Sequence, residues 1–182
     1  MMILTHIIGL IGLIVVIVGT QAKQKKNLVL SQAMTNLCFT VQYFLLGAMA
    51  GAVVATIDAI RMFTFYGHDR KKKKPSLWIL LMFAVLSIGF GLLMFKNIFS
   101  LLPIVAALAT TYGGWQKKAK VLRLAMMVSS GILIIHDVYF GAYVGMLAYV
   151  LVFGSTLVGL VRRDVLKKGQ AVKYVEAEET ML

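Results

Sequence analysis

The chain has one cysteine, seven acidic residues and little charge of any kind, and each scarcity removes a class of function. Cys38 stands alone inside an apolar stretch, so no intramolecular disulfide and no cysteine-based zinc site can form. Three of the carboxylates are Glu176, Glu178 and Glu179 near the C-terminus, which leaves few for acid–base work. The sequence carries no Ser/His/Asp set, no phosphate-binding loop and no metal-spaced cluster, so neither an enzyme nor a cofactor or metal site is expected. Positive charge is missing where a cleavable leader needs it. Residues 1–10 contain no Lys or Arg, and the first cations, Lys23, Lys25 and Lys26, come after the first apolar run. That run is read as a retained helix, although Thr20-Gln21-Ala22 offers a small-residue cleavage pattern.

Apolar sequence is what the chain has in excess. Its hydrophobic fraction is 60% and its charged fraction 14%, with a mean hydropathy of +0.86, whereas soluble domains run at roughly 45–50% apolar and 25% charged. Lipid is therefore the expected solvent. Apolar runs at residues 3–19, 28–46, 49–66, 77–95, 98–115, 121–140 and 143–161 each approach the roughly 17–25 residues that cross a bilayer as a helix. The reading is an all-α membrane protein with seven transmembrane helices. Alternating crossings put Lys23, Lys25 and Lys26, then Arg70 to Lys74, then Lys117, Lys118, Lys120 and Arg123, and finally the basic tail on one side; the other side receives only Lys96. By the positive-inside rule the basic side is cytoplasmic, the C-terminus with it and the N-terminus outside. The net charge of +12 does not indicate nucleic acid, because the basic clusters sit at helix ends without aromatic platforms. Anionic headgroups are the expected counter-charge.

One corner is spelled twice. "FLLGAMAG" at residues 44–51 and "VYFGAYVG" at residues 138–145 align at an offset of ninety-four, which pairs Gly47 with Gly141, Ala48 with Ala142 and Gly51 with Gly145. Gly47 and Gly141 each follow an apolar run, where a residue able to take positive φ ends a helix, and Gly51 and Gly145 fall on the next helix's first turn, where a missing side chain lets helices approach. The same offset pairs Gly19 with Gly113, Lys23 and Lys26 with Lys117 and Lys120, and Gly9 with Pro103. Four crossings separate the two corners, so both lie on one side and the repeats are parallel. The implied organisation is 3+1+3: a first three-helix repeat in residues 1–66, a basic loop and linker helix in 67–97, a second repeat in 98–161, and a cytoplasmic tail in 162–182. Parallel repeats about an axis along the membrane normal are the plan of the SWEET transporters, with substrate near mid-bilayer between them.

The blocks "LIVVIVGT", "QYFLLGAMAG", "DAIRMF", "LLPIVAALATTY" and "IIHDVYFGAYVG" resemble, in order and at similar spacing, those of the YgjV-type bacterial inner membrane proteins. The resemblance implies a bacterial plasma membrane protein related in fold to the SWEET and PQ-loop group. The Pro-Gln pair of that group is absent, Pro103 being followed by Ile104, and no sugar specificity is carried over.

Asp58 and Arg61 are the ionisable residues deep within an apolar run, three apart on one helix face. Unpaired, each costs roughly 2.5–3.5 kcal/mol in a membrane helix, so both are expected to face inward and pair. The pair is either structural or a site in which Arg61 meets an anionic group and Asp58 orients it. At the repeat offset Arg61 corresponds to Ser155, Asn36 to Ser130, and Gln42 and Tyr43 to His136 and Asp137. Because neighbours on a helix do not face one another, no His136–Asp137 relay is expected; His136 is either an interfacial hydrogen-bonding residue or an outer gate or proton acceptor. Gly9, Gly12 and Pro103 are candidate bending points. The leading functional reading is a secondary transporter or facilitator of a small polar or anionic solute, with Asp58, Arg61, Asn36, Gln42, Ser130, His136, Asp137 and Ser155 as its candidate binding set. The alternative is a non-transporting membrane receptor or partner-binding subunit.

Overall fold

A computed structural model describes residues 2–47, 49–93, 97–141 and 143–165. Among them are seven α-helices and no strand: α1 (Met2–Thr20), α2 (Lys25–Leu45), α3 (Met49–Arg70), α4 (Leu77–Leu93), α5 (Leu102–Trp115), α6 (Ala119–Tyr139) and α7 (Tyr143–Leu160). A 3-10 turn, Ile98–Leu101, precedes α5, and a π-helical turn, Val161–Val165, follows α7. The expected run at 98–115 is thus divided, with Pro103 in the first turn of α5. There its missing N–H breaks no helical bond, so the ring starts the helix rather than bending its middle.

Around an apolar core that includes Leu28, Val29, Met62, Phe65 and Leu122, the bundle buries many polar side chains and exposes apolar ones. Thr5, Thr20, Lys25, Thr35, Arg61, Thr111, Arg123, Ser130, Asp137 and Thr156 are buried, while Leu10, Val18, Trp78, Val85, Leu93 and Leu147 are exposed. So large an exposed apolar surface does not suit water, and buried polar groups that bond one another suit a bundle in hydrocarbon. Ala119–Tyr139 and Met146–Arg163 are long and apolar enough to cross a membrane; Thr5–Thr20 and Leu77–Leu93 are shorter apolar helices. The remaining expected spans fall short for physical reasons. α2 begins with Lys25 and Lys26 and carries Gln32, Asn36 and Gln42; α3 carries Asp58 and Arg61; α5 is only 14 residues long.

Gly47 and Gly141 have φ of +71° and +69°, the left-handed conformation that both octets called for. Ala48 and Ala142 lie outside the described residues. The offset of ninety-four also recurs in the contacts. A Cβ on Gly19 would collide with Ser31, and one on Gly113 would come within 2.6 Å of Ala125, so α1–α2 and α5–α6 approach at equivalent points. Phe65 of α3 lies against Gly114 of α5 as Gly159 of α7 lies against Thr20 of α1. Arg61 donates to the Thr111 hydroxyl, and Ser155 donates to the Ile17 carbonyl. Gln32 of α2 donates to the sulfur of Met126 of α6, its own offset partner.

Candidate functional site

The end of the bundle away from Gly47 and Gly141 is closed by buried cations. Lys25 Nζ bonds Asp69 Oδ1 at 2.8 Å and the Gly114 carbonyl at 2.7 Å, tying α2 to the ends of α3 and α5. Arg123 of α6 donates to the Thr20 and Ala22 carbonyls at the end of α1. Each cation meets C-terminal helical carbonyls, where the backbone dipole is negative. Burial lowers Lys25 from the usual lysine range and raises Asp69 from the usual carboxylate range, while their contact opposes both shifts. Beside them Thr20, Gln21 and Ser155 are joined by bonds of 2.6–3.5 Å.

Sequence reasoning assigned Lys25 and Arg123 to solvated basic ends; the structure buries both. The signal was in the register. Lys25 precedes the fully buried Leu28 and Val29 at three- and four-residue spacing, and Arg123 sits beside Leu122 and three residues before Met126 on one buried stripe.

In the half of the bundle nearer the two glycine corners lies a cavity of about 250 Å³. Its wall combines Ile57 and Asp58 from the first half of α3, Leu86 and Phe90 from the second half of α4, Pro103 and Ala107 from the start of α5, and His136 near the end of α6. The lining is mostly apolar, with Asp58, Ser87 and His136 as its polar side chains.

Arg61 stands behind this wall and does not line it. Its guanidinium donates to Thr111 Oγ1 at 2.6 Å, Thr110 Oγ1 at 3.3 Å and the Ala107 carbonyl at 3.3 Å, and Nη2 meets Asp58 Oδ1 at 3.0 Å. The Arg61 side chain is 2% exposed and that of Asp58 26%. The sequence-based arrangement is therefore reversed: arginine does the positioning and the carboxylate is presented to the cavity.

His136 and Asp137 also depart from expectation. His136 Nδ1 lies 2.9 Å from Asp137 Oδ1. Their Cβ atoms diverge as helix geometry requires, but Nδ1 is the ring nitrogen next to the backbone, and it reaches round to the neighbouring carboxylate.

Four of the eight expected binding residues are thus together: Asp58 and His136 on the wall, Arg61 and Asp137 behind them. The others lie elsewhere. Gln42 packs its amide against Gly9, Asn36 is half-buried on α2, Ser130 is buried on α6, and Ser155 belongs to the α1–α7 seam. Gly12 admits Cys38 and Thr35, whose hydroxyl donates to the Gly12 carbonyl at 3.1 Å. Gly9 and Gly12 therefore serve close approach within an unbroken α1.

Among proteins of known family, the bacterial inner membrane protein family Imp-YgjV matches residues 3–167. The chain is 30% identical over 105 residues to inner membrane protein YgjV of Escherichia coli strain K12, a match spanning 58% of this chain and 54% of that protein. It thus spans about half the length of that relative. No solved structure matches. A family match over nearly the whole chain agrees with a helical bundle that is apolar outside and buries polar side chains within, and the chain belongs to the Imp-YgjV family of bacterial inner membrane proteins.

Proposed function

We propose that the protein is a secondary transporter or facilitator that moves a small solute by alternating access between two three-helix units, α1–α3 and α5–α7, joined by α4. All seven helices cross the membrane in this reading, the basic end is cytoplasmic, and the N-terminus lies outside. The recurrence of helix contacts at one offset supports a parallel 3+1+3 duplication of the kind found in SWEET transporters. The observation that carries the proposal is the cavity at the seam of the two units, with a carboxylate set into an apolar wall and held by a buried arginine. The opposite end is clasped by Lys25 and Arg123, the arrangement of a carrier open toward one side.

The chemistry narrows the solute. A cavity of about 250 Å³ is below the roughly 300–1,000 Å³ of drug-sized pockets. A carboxylate facing it selects an amine or another hydrogen-bond donor over an anion.

The test is flux into proteoliposomes of small amines, neutral hydrogen-bond donors and carboxylates. Uptake is expected for a member of the first two classes and lost in Asp58→Asn. No flux across the panel, with no ligand-induced rise in melting temperature, would sink the transport reading in favour of a non-transporting receptor. On a Cys38→Ser background, Leu46→Cys should label from outside and Lys118→Cys only after permeabilisation.

A further inference from the structure

A second concave surface lies at the clasped end and has a different character. Lys26 at the start of α2, Arg70, Lys72 and Lys73 at the end of α3, and Lys117 after α5 converge on a cleft of about 440 Å³, whose floor is the Lys25–Asp69 pair. Six cations surround one carboxylate, and that carboxylate is already engaged 2.7 Å from Lys25. The five outer cations are exposed and drawn from three separate segments, so it is the fold that gathers them. Charges of one sign held around a concavity repel one another and focus a strong positive potential into it.

The backbone aims part of this set. The Lys73 N–H donates to the His68 carbonyl at 3.0 Å and the Lys72 N–H to the Asp69 carbonyl at 3.1 Å, which closes α3 with a Schellman turn. Such a turn needs a left-handed residue, usually glycine, yet the position is Lys72, at φ 56°. Lysine there accepts a backbone strain that glycine would avoid. In return the chain folds back so that Lys72 and Lys73 line the cleft instead of running on into the loop.

We propose that this cleft is a binding site for a phosphate-bearing anion, with the headgroup of an anionic phospholipid and a free phosphate compound as the two sources of that chemistry. Several ammonium groups and one guanidinium around a volume of this size match a group carrying several acceptor oxygens. Basic pockets between membrane helices at the cytoplasmic surface hold anionic headgroups in this way. The site is separate from the cavity at Asp58 and does not depend on the transport reading.

The test uses the full chain in neutral detergent and follows its melting temperature in three titrations: phosphatidylglycerol mixed micelles, inorganic phosphate, and chloride at matched ionic strength. Phosphatidylglycerol or phosphate is expected to raise the melting temperature where chloride does not, with the effect fading as salt screens the charges. A response to lipid alone identifies a headgroup, and a response to phosphate identifies a soluble anion. In Lys72→Ala/Lys73→Ala/Lys117→Ala the midpoint should move to at least about tenfold higher ligand. Lys23→Ala/Lys118→Ala/Lys120→Ala removes equal charge outside the cleft and should leave it unchanged. Equal loss in both triple variants would overturn the proposal, since diffuse attraction then explains binding, and so would the absence of any response beyond that to chloride. A response appearing only after Glu176, Glu178 and Glu179 are replaced by Gln would also overturn it, because the chain's own acidic segment would be the occupant.

Discussion

Replacing Arg61 by Met tests the reading of the Asp58 wall, and the size of the effect follows from what each group keeps. The two threonines lose little: Thr111 Oγ1 still donates to the Ala107 carbonyl at 2.6 Å, and Thr110 Oγ1 to the Ala106 and Ala107 carbonyls at 3.2 and 3.0 Å. The loss falls on Asp58, whose cationic partner disappears. Breaking a buried pair on one side costs about 3–5 kcal/mol. Here there is a ceiling, because an unpaired carboxylate can escape by taking a proton. From an ordinary aspartate pKa near 3.9, that escape costs about 4 kcal/mol at pH 7 and about 1.5 kcal/mol at pH 5. The deficit of Arg61→Met should therefore shrink on acidification by up to about 1.4 kcal/mol per pH unit. Asp58→Asn has no such escape, since arginine does not deprotonate, and its deficit should be flat with pH. Replacing both residues by Leu and Met removes both desolvation terms and should be neutral or stabilising. Reversible unfolding in mixed detergent micelles between pH 5 and 7 measures all three. An Arg61→Met deficit that ignores pH, or a double variant as unstable as the worse single one, would refute the assignment of Arg61 as the partner holding Asp58.

Gly47→Ala and Gly141→Ala should each cost about 1–2 kcal/mol in the same unfolding assay, all of it from the left-handed backbone, because nothing lies within 4 Å of either added Cβ; Asn in their place should cost less. Lys25→Met should cost about 3 kcal/mol, the lower end for a broken buried pair, because the adjoining cleft admits water to Asp69. Replacing Lys25 and Asp69 together by Met and Leu should have the opposite sign at neutral pH. Burial lowers Lys25 and raises Asp69, so the fold gains stability above the folded value of Lys25 and below that of Asp69 and is least favoured between them. The benefit of the double replacement is then largest at neutral pH and declines toward both extremes, and a benefit that grows with alkalinity would contradict the burial argument.

The helices were legible because apolar run length and charge placement dictate them, and the two glycine corners because only a left-handed residue closes a helix in that way. The inward-facing pair at positions 58 and 61 was legible from the cost of charge in lipid. Which member faces the cavity was not, because that depends on Thr110 and Thr111 of a helix about fifty residues away accepting the guanidinium. The partners of Lys25 and Arg123 were hidden for a related reason. The register puts both on a buried stripe, but only the approach of α5 to α2 and of α1 to α6 decides which carbonyls they meet. The His136–Asp137 contact escaped because the helical-face rule describes Cβ directions, while an imidazole nitrogen close to the backbone is not bound by them.

Several positions that fix a backbone turn or a helix pair keep their residue at the offset of ninety-four, Gly19 with Gly113, Leu28 with Leu122 and Gly47 with Gly141, while others keep the contact and exchange the residue, as Phe65 against Gly114 and Gly159 against Thr20 do. Where the position carries chemistry, the residues differ: Arg61 with Ser155, Gln42 with His136, Tyr43 with Asp137, Gly9 with Pro103. Gln42 against Gly9 and His136 beside Pro103 occupy equivalent places, yet the first pair is packed shut and the second lines the cavity. In the proposed 3+1+3 duplication the two seams are equivalent, and side-chain divergence would make one a seal and the other a site. The difference between the seams can be tested by exchange. Gly9→Ala should only swing aside the Gln42 amide, the flexible end of its side chain, and leave flux unchanged, whereas Pro103→Ala should alter flux with stability nearly unchanged, since Pro103 fronts open volume and its ring is needed only to start α5. Equal effects of the two substitutions on flux would mean that the cavity is no more than a packing gap.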